Sequence, residues 1–273
     1  MKHPAMKRLP LATLSLLALA ASGFAAPRAA ADEWSKTYNL SGKPDLRIET
    51  SDANIRVTTW DQKTIEAKVI TSHFKIGEGG LRIEEHQNGD TVEIEVRYPH
   101  HNFTIGWSDH RVDVIIQMPR EGKVDLRTGD GKIDISRFKG EMNLHSGDGS
   151  ETLEGVDGTL RAATGDGHIR ADGRFDELEL KTGDGHLDVR AGAGSSLNVG
   201  WRLETGDGNV SLEVPGDLAA NVDLHTSDGH IDLDMPVTTE GKMRENEVRG
   251  KLNGGGSSLM IRTGDGSIHL GKS

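Results

Sequence analysis

Apolar and polar residues alternate with a period of two over most of the chain, and the alternation is punctuated by one recurring tetrapeptide. Leu126 and Thr128 precede Gly129-Asp130-Gly131, and Ile133 and Ile135 follow it. Leu180, Thr182, Leu187 and Val189 repeat the arrangement, as do Leu203, Thr205, Val210 and Leu212. Between them lie Arg127, Asp134, Lys181, Asp188, Glu204 and Ser211. A period of two with one apolar side predicts short strands that bury one face. Strand-like alternation also runs through 45–50, 54–60, 64–70, 81–85, 91–98 and 111–118, with Asn88-Gly89-Asp90 as a hairpin turn. No long stretch has a helical period.

The tetrapeptide recurs with its aspartate at 130, 148, 166, 184, 207, 228 and 265, and Thr50-Ser51-Asp52-Ala53 is a looser upstream copy. The first four are 18 residues apart; the later gaps are 23, 21 and 37. A fixed period near 20 residues marks a stacked array. Two assemblies fit it. In a β-solenoid each copy is one coil, and strands of successive coils pair in parallel about 4.8 Å apart. In a β-meander each Asp-Gly is a hairpin turn, pairing Arg127 with Asp134, Lys181 with Asp188 and His225 with Asp232. The meander also sets Arg262 against His269 and Ala163 against Arg170, whereas equal spacing is what a coil needs to stack in register. An all-β, single-domain solenoid is therefore expected, with the antiparallel meander as its alternative. In either, glycine is expected to supply positive φ, and Asp130, Asp148, Asp166, Asp184, Asp207, Asp228 and Asp265 to cap their own turns.

Three segments follow from this reading. Residues 1–31 read as a secretory signal peptide: Lys2, Lys7 and Arg8, an apolar run from Leu11 to Ala21, then Ala29-Ala30-Ala31 as the cleavage site. The apolar run is short for a membrane span, so no transmembrane segment is expected after cleavage. Residues 32–120 are expected to form irregular first coils that cap the stack, and 121–273 the regular solenoid of the same domain. From Thr238 to Gly256 the repeat lapses, which reads as an excursion loop followed by one more coil, Leu259 to Leu270, that closes the chain. Ser150-Glu151-Thr152-Leu153 places a glutamate where other copies are apolar, and this calls the register of the second copy into question.

Charge narrows the partners. The chain carries 32 Lys+Arg against 43 Asp+Glu, and loss of the four basic residues of the leader takes the net charge from −11 to near −15. Such a balance argues against nucleic acid or anionic lipid held by bulk charge. Cysteine is absent, so a periplasmic or secreted protein would rely on its core rather than on disulfides.

Candidate chemistry is sparse. His168 and His186 occupy equivalent places in adjacent copies, beside Asp166 and Asp184, and could be pictured as part of a Zn²⁺ or Cu²⁺ site. Other copies carry Lys132, Ser150, Asn209 and Ser267 there, as an exposed polar position would. The segment 98–110 is the most distinctive outside the repeats. Its Tyr98, His100, His101, Phe103 and Trp107 are candidate ligand contacts, or the packing of a long turn. No nucleophile elbow, zinc-protease motif or phosphate loop is present. No enzyme activity and no cofactor are therefore expected.

Three features together carry a family resemblance: the strand Val112-Asp-Val-Ile-Ile-Gln-Met-Pro119, the iterated Leu-x-Thr-Gly-Asp-Gly-x-Ile/Leu/Val copies, and Val248-Arg-Gly-Lys-Leu-Asn-Gly-Gly255 leading into Leu259–Leu270. Over roughly residues 40–271 the chain resembles the bacterial "putative adhesin" domain family, whose function is unknown. The resemblance implies a right-handed β-solenoid and offers no catalytic residues. The expected role is a non-enzymatic, adhesin-like envelope or surface scaffold whose partner is a surface glycan or an envelope protein. A periplasmic metal- or protein-binding accessory is the alternative, and a polysaccharide-active enzyme, on fold analogy alone, a third.

Overall fold

The structure, a computed structural model, describes residues 32–72, 74–99, 111–239 and 244–273. The expected leader, 1–31, lies outside them.

The described residues hold 21 strands, most of them paired in parallel. They form a solenoid of two arrays. At the regular coils Glu121–Thr128 lies under Lys139–Ser146, with Thr128 beside Ser146, a shift of one 18-residue repeat. Lys139–Ser146 pairs with the second half of Glu151–Thr164, and that half with the second half of Ile169–Thr182. In the other array Ile133–Ser136, the first half of Glu151–Thr164, the first half of Ile169–Thr182 and Leu187–Ala191 stack likewise. The meander pairs do not form: Ile133 lies beside Ile55 and Glu151, not across a turn from Thr128. Equal coil length wins because in-register stacking puts apolar residues over one another along both arrays. Leu126, Leu144, Ala162, Leu180 and Leu203 form one such buried ladder, and Ile135, Leu153, Ala171, Val189 and Leu212 face it from the other array. The glutamate does not disturb the register, since Glu151 sits between Ile133 and Ile169 and is fully buried.

Spatial order departs from chain order at both ends. The upstream copy is a regular coil: Asp45–Thr50 pairs on one side with Glu121–Thr128 and on the other with Thr91–Arg97. Thr91–Arg97 and Val112–Pro119 thus lie outside the 45–60 coil, and the chain crosses back over that coil between Pro119 and Glu121. At the far end the last copy is not the end of the stack. Ser258–Thr263 pairs with Trp201–Thr205 on one side and Ala220–Thr226 on the other, and Ile268–Lys272 lies between Val210–Val214 and Ile231–Leu233. The chain leaves a one-coil gap after Val214, and its C-terminal copy fills it.

The ends are closed by antiparallel strands. Thr64–Thr71 pairs with Val112–Pro119, and Asp32–Asn39 with Thr64–Thr71; Arg82–Asn88 closes the other array. An ion pair between Lys36 and Glu85, and a 2.8 Å hydrogen bond from Gln87 Nε2 to the Asn39 carbonyl, tie the two edges together. Edges joined this way offer less free backbone for unwanted pairing. The expected excursion loop is in part a second cap, with Glu247–Leu252 antiparallel to Ala220–Thr226 and Val237–Thr239 antiparallel to it. The apolar Val248 and Leu252 are buried there and make this a strand rather than a loop.

Because the last coil is interior to the stack, deleting residues 257–273 should do more than shorten it. Hydrogen exchange should rise throughout 201–233, and Tm should fall by at least about 5 °C, given roughly 2–4 °C per kcal/mol in a chain of this size. A truncated chain with 201–233 still protected would show that the interleaving is dispensable.

Candidate functional site

Each Gly-Asp-Gly corner carries the chain from one array to the other, and its second glycine is fixed by a close approach. A Cβ on Gly149 would lie 1.9 Å from the Gly131 carbonyl oxygen, and one on Gly185 1.9 Å from that of Gly167. None of these corner glycines has positive φ, so the expected conformational reason is replaced by a steric one: only hydrogen fits between stacked backbones.

The aspartates are not the caps. Their carboxylates are exposed, and among the described residues none bonds to its own turn. The residue two before the aspartate does the work with its hydroxyl. Thr164 Oγ1 accepts from the Gly167 amide at 3.3 Å and donates to the Gly149 carbonyl of the coil below at 3.0 Å. Ser146 and Thr182 do the same, and Thr205, Thr226 and Thr263 each donate to the second glycine of a neighbouring corner. The hydroxyl is buried beside orphaned backbone groups, whereas a side chain two positions on points to water. The carboxylates instead form an exposed column, one per coil. Like charges about 4.8 Å apart in water repel by roughly 0.9 kcal/mol. Desolvation, then the neighbouring Asp130 carboxylate, holds the Asp52 carboxyl above its ordinary value.

The position after the corner forms a second ladder. The His186 amide donates to His168 Nδ1 at 2.9 Å, the Asn209 amide to His186 Nδ1 at 2.9 Å, and the Ser267 amide to Asn209 Oδ1 at 2.9 Å. The Lys132 amide uses Asn54 Oδ1 at 3.1 Å in the same way. His168 and His186 do come together, with ring centroids 4.9 Å apart and planes within 3°. Their Nδ1 lone pairs are occupied, however. In parallel rings the Nε2 lone pairs run side by side and do not converge on one ion about 2.0–2.1 Å from each. Asp166 and Asp184 stay exposed on the neighbouring column, and no group of three or more potential ligands gathers among the described residues. The geometry favours backbone support over metal binding.

A concavity lies elsewhere, on the outer surface of the first array. A hollow of about 620 Å³ is lined by Arg47, Glu49, Glu93, Glu95, Asp125 and Arg127 among others. It adjoins one of about 350 Å³ through Glu49, Glu95 and Arg127, and one of about 440 Å³ through Asp125 and Arg127. The last continues past His145 and Ala163 to Lys181. Together they make a groove that crosses successive coils. Its walls are ion pairs: Arg47 with Asp45 at 2.9 Å and Glu93 at 3.1 Å, Arg127 with Asp125 at 3.0 Å, Lys123 with Glu141 at 3.1 Å. Bonds from Asn143 and Lys123 hold the Glu141 carboxyl below its ordinary value, and Arg97 does so for Glu95. Exposed pairs of this kind add about 0–1 kcal/mol each to stability, so they can be exchanged for a ligand at small cost. No Phe, Tyr or Trp ring lines the three hollows, whose rings are the imidazoles of His86 and His145.

Of the aromatic candidates, Tyr98 is half-buried and packs edge-on against Phe74, centroids 5.5 Å apart, with burial pushing its hydroxyl well above the usual tyrosine range. His100, His101, Phe103 and Trp107 lie outside the described residues. Sequence reasoning missed the groove. Its residues are the outward members of the alternation, and only the basic types Arg127, His145 and Lys181 in one outward row hinted at a surface.

Fold and surface together define an all-β solenoid whose side chains meet in an outward groove rather than in an enclosed cleft. The chain belongs to the Toastrack DUF4097 family, whose model matches residues 44–202 and 174–271. Among solved structures it is similar to a "putative cell adhesion protein" from Clostridium sporogenes, with 17% identity over 89% of this chain and 100% of that one and a TM-score of 0.43. It is also similar to a "putative adhesin" from Bacteroides fragilis (10% identity, 88% and 97% covered, TM-score 0.34). A "putative lipid binding protein" from Parabacteroides distasonis matches at 12% identity, with 88% and 96% covered and a TM-score of 0.40. No curated protein matches the chain.

Corner sealing by hydroxyl predicts an asymmetry. Thr164→Val should lower unfolding free energy by about 1–3 kcal/mol, the cost of leaving buried backbone groups unpaired. Asp166→Asn should stay within about 0.5 kcal/mol, or stabilise slightly by relieving the column. Urea denaturation of the two variants checks this, and the reverse order would restore the aspartate to the capping role.

Proposed function

We propose that the protein is a non-enzymatic, adhesin-like binding scaffold of the cell envelope, exported by its N-terminal segment, and that the outer groove of the first array is its binding surface. The observation that carries this reading is the continuity of the groove: three adjoining hollows share Arg127 and run from Glu84–His86 at one edge strand to Lys181 several coils away. A surface of that form suits an extended partner, a glycan chain or a segment of an envelope protein, contacted at several coils in succession. Side chains of both charges line it, with more apolar surface in the stretch past His145 and Ala163, which suits ionic contact and hydrogen bonding beside some apolar contact. The non-enzymatic reading is supported by the place of the most perturbed carboxyl. Glu151 is sealed in the core rather than open to a hollow, whereas catalytic groups with shifted pKa values sit where substrate reaches them.

The test is a glycan and envelope-protein array probed with the intact chain, an Arg127→Glu/Lys181→Glu variant and a 98–110 deletion. Both substituted side chains are exposed, so Tm should hold. The double variant should lose affinity by roughly tenfold or more, or about 1.4 kcal/mol. Unaltered binding by the double variant, with binding lost in the deletion, would move the site to the 98–110 segment. Turnover of any polysaccharide on the array would overturn the non-enzymatic reading.

A further inference from the structure

Glu151 occupies the first inward position after its corner, where the stacked copies carry Ile133, Ile169, Leu187, Val210 and Ile268. It is 0% exposed, and neither carboxyl oxygen makes a hydrogen bond of sound geometry, the Ser146 backbone being near enough only for a small electrostatic offset. No charged group faces it. On the strands packed against it, Asp134, Arg170, Asp172, Glu154 and His145 all lie at outward positions of the alternation, and the corner carboxylates Asp148 and Asp166 are exposed. An ionised carboxylate in such a place would be desolvated without compensation. Every other copy shows that an aliphatic side chain suits the position, so packing alone does not call for an acid here.

We propose that Glu151 is a pH-sensitive weak point built into the middle of the stack: protonated, it is carried inside the core, and its ionisation in alkaline solution loosens the coil from within. Burial pushes its carboxyl up to about 8, offset only in part by the Ser146 backbone amide. The direction of the linkage follows. Between the ordinary value of 4.5 and about 8 the folded chain keeps a proton that the unfolded chain has released. Stability therefore falls as pH rises through that window and levels off above it. The full effect of one group is tenfold in the unfolding equilibrium per pH unit, about 1.4 kcal/mol. The same coil carries Arg161 and Ala163 on the groove, so the loosening reaches the outer surface within one strand of its origin.

Urea denaturation of the full chain and of Glu151→Gln and Glu151→Ile, from about pH 5 to about pH 9, tests this. The wild type should lose stability relative to the glutamine variant by up to tenfold per pH unit, with the difference levelling near pH 8. The isoleucine variant should be the most stable of the three at every pH. Hydrogen-exchange protection in the wild type, corrected for the intrinsic rise of exchange with pH, should fall first in 133–172 as the pH is raised towards about 8. Carbon-13 NMR of the Glu151 carboxyl in the wild type, which needs no variant to fold, should show it titrating far above the other carboxylates. A pH-independent difference between wild type and Glu151→Gln, an isoleucine variant less stable than wild type, or a Glu151 carboxyl titrating in the ordinary range would each overturn the proposal.

Discussion

Everything in this molecule depends on how closely one coil's backbone sits on the next at the corner. Where a Cβ would come within 1.9 Å of a carbonyl oxygen, only glycine fits, and a coil that carries glycine there can stack in one register. The buried Thr or Ser hydroxyl then pairs the backbone groups that the corner would leave orphaned, bonding both within its own turn and to the coil below. Close approach sets the register, and the register in turn sets the ladders of Leu, Ile and Val that supply the apolar core. This constraint, met by glycine in every copy but the upstream one, where Ala53 stands, lets an all-β chain without cysteine build one continuous core.

The same constraint explains why order in space need not follow order along the chain. Any copy with the right corner can sit on any other. The upstream copy stacks under the 121–136 coil, with Ala53 where later copies have glycine, and the C-terminal copy is taken into an interior gap. Position in the stack is decided by connections and caps, not by the repeat. The carboxylate column and the histidine ladder follow from the stacking in the same way. Once coils are in register, any residue type that recurs at one position forms a row, whether or not the row has a ligand.

Much of the fold was legible because it rests on periodicity. The period-two alternation located the strands, and the 18-residue spacing separated a solenoid from a meander. The assignment of atoms within the corner was not legible. Asp and Gly are both turn residues, and their usual roles, capping and positive φ, were the natural reading. Here the neighbouring coil, invisible to local reasoning, supplies the partners, so Thr caps and glycine makes room. The interleaved ends were hidden for the same reason, since identical corners carry no address. The groove was hard to see because its members are spread over many coils at outward positions, where any polar residue is tolerated. Glu151 was visible as an anomaly, but whether it broke the register or was swallowed by it depended on the coils on either side. Ile133 and Ile169 hold it in place.

The most direct test of in-register, interleaved stacking uses the absence of cysteine in the chain. Paired cysteines at outward positions form a disulfide only when their Cα atoms lie within about 7 Å. Arg127→Cys with His145→Cys, Glu204→Cys with Arg262→Cys, and His225→Cys with Arg262→Cys should each cross-link under mild oxidation, since each pair stands side by side in adjacent coils. Arg127→Cys with Asp134→Cys, the hairpin pair, and Glu204→Cys with His225→Cys, now separated by the inserted coil, should not. Cross-linking in the last two pairs and not in the first three would contradict the structure described here.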